Sequence, residues 1–189
     1  MRTRRNTLVA LAVAAGISLP VTASVFAQVT DTPPTPAEIP LHVPAVDYRV
    51  EWVQLGSFSV LGENPADGAA EIHSVYTTRE AVEAYLRDGE FPQGAVIVKD
   101  VWSTRTEELT TGTASYAGEL EGRFVMVRDT EGTLGASPRV GDGWGWAFYP
   151  GDETNMTVTG DYEVDCLACH EPARDQGLLY LQGYPVLRR

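Results

Sequence analysis

The sequence predicts an α+β fold: one domain, mostly antiparallel β-sheet, with a few short helices. Three observations predict it. From Arg49 onward the apolar residues recur mostly with a period of two, the runs that carry this pattern are rich in β-branched and aromatic residues, and Gly, Thr and Asp separate them. A chain of 189 residues, 43% of them hydrophobic, can build one core of ordinary size.

The elements follow in order. Residues 1–27 are expected to be a signal peptide, with a basic start (Arg2, Arg4, Arg5), an apolar stretch from Leu8 to Leu19 and small residues before a cleavage site at Ala27. Gly16, Ser18 and Pro20 interrupt the apolar stretch, which falls short of the roughly 20 residues a spanning helix needs. The expectation is export to the periplasm by the general secretory route, with no membrane span after cleavage. Residues 28–48, with five prolines, are expected to form an extended leader that tethers or wraps the domain. Losing three arginines and no acids with the signal peptide takes the formal charge from −12 to −15. Such a surface disfavours nucleic acid and anionic lipid, keeps an exported protein soluble and can steer basic redox partners.

Residues 49–189 should form the domain. "RVEWVQLGSFSV" alternates as a strand from Arg49, and "TTREAVEAYLRDG" reads as a short helix with Thr77 and Glu80 at capping-box spacing and Gly89 as its stop. "AVIVKDVW", "GRFVMVRD" and "GWGWAFYP" read as further strands. From about Asp165 the chain is expected to make helical turns, a Gly-containing bend and the closing "LQGYPVL".

Both cysteines and one of the three histidines fall within "VDCLACHEPA". Cys166, Cys169 and His170 spell C-x-x-C-H, the attachment motif of one covalently bound haem c: two thiols form thioethers to the vinyl groups and the histidine becomes an axial ligand of the iron. A disulfide suits an oxidising compartment but gives no reason for the adjacent histidine. A thioredoxin-like pair expects a βαβ context, which the sequence lacks. Zinc needs a fourth ligand, from His42, His73 or a carboxylate. Only 19 residues follow His170, and none is Met or His, so a sixth ligand to the iron would have to come from upstream, from Met126, Met156 or His73. The favoured expectation is an open sixth position, which binds small ligands.

Strand alternation puts Ala95, Ile97, Lys99 and Val101 on one face. Lys99 either snorkels its amine to the sheet edge or holds it near the haem, where desolvation lowers its pKa and makes it nucleophilic. Phe124 and Met126 share a face, as a pocket lid or as plain core.

From about Glu51 to Leu187 the chain resembles the cytochrome P-460 family, which includes the cytochromes c′-β. The markers are "EWVQLG", "IHSVYT", "FPQGAVIVKDVW", "GDGWGWAFYP", "CLACH" and the terminal "YPVL". The resemblance implies a mono-haem, largely β-sheet periplasmic homodimer with His170 as proximal ligand and an open distal side. Cytochromes P-460 oxidise hydroxylamine and crosslink a strand lysine to the haem; Lys99 matches that position. The c′-β members lack the crosslink, cap an apolar pocket with phenylalanine and bind nitric oxide or carbon monoxide. The position matched to the distal glutamate of the hydroxylamine-oxidising members holds Phe124, which cannot move protons; Glu121 could substitute only if the strand is irregular there. Three functions are expected in this order: binding of small nitrogen oxides such as nitric oxide, hydroxylamine oxidation with electrons passed to a cytochrome partner, and simple electron transfer.

Overall fold

The computed structural model describes residues 41–188. The expected signal peptide and the leader up to residue 40 lie outside the described residues. The last part of the leader packs on the domain: Val43 and Tyr48 are buried, and Tyr149 Oη donates to the Leu41 carbonyl at 2.6 Å.

The strand expected from Arg49 starts later. Tyr48–Glu51 is one helical turn, α1, in which the Asp47 carbonyl accepts from Val50 and Glu51. The turn forms because the side chains of Tyr48 and Arg49 are both drawn onto the buried Asp100 carboxylate. Strand β1 then runs over Val53–Leu61 and pairs with β2, Ala69–Thr77. β2 has no counterpart in the sequence reading, because polar residues stand on both its faces (Glu71 and His73 on one, Ser74 on the other) and blur the alternation.

Helix α2, Arg79–Asp88, ends as expected at Gly89, which takes the left-handed conformation at φ +85°. Its cap is shifted by one residue from the expected capping box. Thr77 is fully buried in the sheet, where its hydroxyl donates to the Val96 carbonyl at 2.6 Å, so Thr78 becomes the N-cap and accepts from the Ala81 N–H at 3.2 Å.

Strands β3, Val96–Leu109, and β4, Gly112–Arg128, extend well past the runs read from sequence. The extra length is a polar hairpin held by cross-strand side-chain bonds such as Thr106 to Ser115 at 2.6 Å and Tyr116 to Glu107 at 2.7 Å. Such a ribbon, solvated on both faces, carries no hydrophobic period. β5, Val140–Gly141, and β6, Trp144–Pro150, complete a six-stranded antiparallel sheet in the order β1-β2-β3-β4-β6-β5. The described residues thus form the mostly antiparallel α+β domain that the sequence predicts.

Each face of the sheet carries its own core. Leu55, Val75, Ile97, Met126, Trp144 and Trp146 pack on one side with α2 and the C-terminal segment. Val98, Val125, Val127, Ala147 and Tyr149 pack on the other with Val43 and Tyr48. The C-terminal segment crosses close over β1: a Cβ at Gly56 would lie 1.9 Å from the Gly183 carbonyl oxygen, so only glycine admits this approach.

Candidate cofactor site

The cysteine motif sits in a short helical stretch whose winding changes along its length. Glu163–Leu167 is a π-helical turn, Ala168–His170 (α3) is α-helical, and Glu171–Gln176 is a 3₁₀ segment. A widened π turn is uncommon and recurs at functional sites. Here it contains Cys166, which is buried, while Cys169 is exposed; both thiols are free. Burial raises the Cys166 thiol to about 11, so it stays neutral.

His170 is fixed by the turn that follows. Gly177 and Leu178 both have positive φ, +68° and +66°, and Leu178 in this conformation costs about 1–2 kcal/mol. The turn gives His170 its partner: its Nδ1–H donates to the Leu178 carbonyl at 2.6 Å. That bond fixes the tautomer and leaves Nε2 with the free lone pair, the arrangement an iron-ligating imidazole needs. The Trp146 ring meets the imidazole edge to face at 4.9 Å, and burial lowers the His170 pKa, which keeps the ring neutral.

The sheet supplies the facing wall through its register. Ile97, Met126 and Trp146 lie in one row across β3, β4 and β6, and Lys99, Phe124 and Phe148 lie in the next. The cleft between this wall and the C-terminal segment is lined by Ile97, Lys99, Phe124, Met126, Trp146, Cys166, Cys169 and His170, with Phe58, Tyr180 and Tyr184 at its sides. The cleft has a cavity volume of about 210 Å³ and opens to solvent on one side. The five residues singled out from sequence, Lys99, Phe124, Cys166, Cys169 and His170, therefore meet in one cleft.

Lys99 has no carboxylate partner within salt-bridge distance among the described residues. Its Nζ lies 4.3 Å from the centre of the Phe124 ring, which packs at a tilt against Phe148 with ring centres 4.4 Å apart. Burial lowers its pKa, with Glu71 and the two cysteines opposing. Among the described residues Asp165 is the one carboxylate lining the cleft, and its Oδ2 accepts from the Gly160 and Asp161 N–H groups at 2.8 and 3.1 Å.

The remaining candidates separate clearly. Met126 is in the cleft wall, whereas Met156 is 72% exposed and outside it. Glu121 is exposed at a register shift, where Val101 pairs with Gly122 and Trp102 with Leu120, and it does not line the cleft. His42 bonds its neighbour's carbonyl and His73 bonds Glu71. No cluster of three His, Cys, Asp or Glu residues able to hold a metal ion occurs among the described residues. Sequence reasoning missed Phe58, Tyr180 and Tyr184. Only the "YPVL" ending gave a signal for one of them, since their roles depend on the chain folding back over β1.

A family model described as Cytochrome P460 matches residues 46–181, most of the chain. The chain belongs to the cytochrome P460 family. No curated protein matches it significantly. Membership implies a haem cofactor, and the cleft fits one: it offers two unpaired thiols three residues apart, a histidine with its Nε2 free, and apolar walls. No helix among the described residues is long and apolar enough to cross a membrane.

Proposed function

We propose that this cytochrome P460 family member carries one covalent haem c and binds small uncharged nitrogen oxides such as nitric oxide. Cys166 and Cys169 hold the haem and His170 ligates it. A haem bound there would supply an iron that His170 would ligate and that could bind a small ligand. The observation that carries the reading is the phenylalanine at position 124: in the cleft wall it packs tilted against Phe148 and lies against the Lys99 amine. Such a wall excludes water and offers an anion or a proton donor little, which suits a neutral diatomic. Export to the periplasm and a homodimer belong to the same proposal, and an electron-accepting cytochrome partner to the hydroxylamine reading that follows.

Hydroxylamine oxidation is a second reading, and Lys99 favours it. Its amine lies in the cleft with its pKa lowered by burial, a shift toward the neutral form that is nucleophilic and can bond to a macrocycle. Against it, Asp165, the carboxylate in the cleft, is engaged in its own turn. Titrating the reduced holoprotein with nitric oxide and assaying hydroxylamine oxidation with a one-electron acceptor separates the two. Tight gas binding without turnover supports the first reading; turnover supports the second. Phe124→Glu sharpens the test: in a crosslinked protein it should raise turnover, and no rise would refute the lack of a carboxylate at position 124 as the cause of the missing proton relay.

A further inference from the structure

Beside the haem cleft lies a second chamber, lined by Phe58, His73, Lys99, Tyr180, Gln182 and Gly183. Three of these residues, Phe58, Lys99 and Tyr180, also line the cleft, so the two spaces adjoin. His73 is the one imidazole in this chamber. It belongs to β2 and pairs with Val101, which makes it the diagonal cross-strand neighbour of Lys99 on the same sheet face, a spacing of about 7–8 Å.

The ring is held on two sides. Phe58 meets it edge to face at 5.0 Å, and its Nε2–H donates to Glu71 Oε2 at 2.7 Å, with the His73 side chain 12% exposed and that of Glu71 38%. With Nε2 carrying the proton, Nδ1 is the basic nitrogen. The charged groups facing His73 are Glu71 from its own strand and Lys99 from β3; Phe58 of β1 and Tyr180 and Gln182 of the C-terminal segment are neutral neighbours.

We propose that His73 is a redox-linked proton site of this cytochrome, taking up one proton when the haem takes up one electron. The electron comes from a one-electron donor outside the protein and the proton from solvent. It lands on Nδ1 and turns the neutral imidazole into an imidazolium held by the Glu71 carboxylate. Burial and the Lys99 charge lower the His73 pKa while Glu71 opposes them, which favours the neutral ring, and a negative charge added on the cleft side counteracts that lowering. Added charge on the cleft side tightens proton binding by up to roughly tenfold, the order of a unit charge's effect across a partly buried site. The proposal rests on a haem in the cleft and not on which ligand the iron takes.

The test uses the holoprotein and two readouts. NMR titration of the His73 ring should give a higher pKa in the reduced than in the oxidised state, and the midpoint potential should fall with rising pH between those two values. His73→Gln should abolish that segment, and Glu71→Gln should move it to lower pH without removing it. An identical His73 pKa in both oxidation states, or an unchanged pH dependence in a folded His73→Gln protein, overturns the proposal. Gas affinity measured on the same samples reports separately on the ligand-binding reading.

Discussion

Lys99 and Asp100 are adjacent in β3, yet the protein treats their charges in opposite ways. Asp100 faces away from the cleft and is 0% exposed, and every demand of its carboxylate is met: Tyr48 Oη donates to Oδ1 at 2.7 Å and Arg49 Nε to Oδ2 at 2.6 Å. Arg123 Nε in turn donates to Tyr48 Oη at 3.0 Å, and the Tyr48 phenol is pushed up by burial and by the carboxylate. Lys99 faces the cleft with only an aromatic ring against its amine. A charge that serves the fold is paired and hydrogen-bonded. A charge left desolvated and unpaired in a cleft makes that cleft a candidate functional site.

Four substitutions and titrations test that contrast. The largest effect is expected from Asp100→Ala, which strands Arg49 and the Tyr48 hydroxyl: it should destabilise the holoprotein by about 3–5 kcal/mol in denaturant unfolding. Tyr48→Phe removes one hydrogen bond to the buried carboxylate and should cost about 1.5–3 kcal/mol by the same measurement. Lys99→Met, one residue away, should leave stability within about 1 kcal/mol of wild type or raise it, because an unpaired desolvated cation is replaced by an apolar chain of similar length. A loss as large as that of Asp100→Ala would erase the distinction between the two faces.

The smallest effect is a pH dependence. Lys99 has its folded pKa below the unfolded value of about 10.4, so between the two the unfolded chain binds more protons and stability rises with pH. Below the folded value the full penalty for the buried cation is present. The stability deficit of wild type relative to Lys99→Met should therefore shrink as pH rises through that alkaline window, provided Lys99 is free to titrate. A deficit that grows with pH would mean that the amine is paired in a way the structure does not contain.

The same contrast explains what could be read from the sequence. The C-x-x-C-H motif is local, so Cys166, Cys169 and His170 were legible from five consecutive residues, and strand period alone placed Lys99, and Phe124 with Met126, on common faces. The Tyr48–Asp100–Arg123 network was invisible because its members are separated by 52 and 75 positions and meet only when α1 folds against the sheet. Strand β2 and the β3–β4 hairpin were hidden for another reason: polar residues on both faces of β2 blur its alternation, and the hairpin is held by pairing and polar side chains instead of one buried face. His73 and Phe58 became site neighbours through register, which no local pattern encodes.

The most direct test of the central claim, one haem c held by Cys166, Cys169 and His170 beneath an apolar wall, is the optical spectrum of the holoprotein, native and in alkaline pyridine. The account predicts a five-coordinate native haem and an ordinary c-type pyridine spectrum, with no bond from Lys99. A six-coordinate native spectrum, with Met126 as the added ligand, would contradict the open site. A red-shifted spectrum that survives denaturation would contradict the free lysine and put hydroxylamine oxidation first.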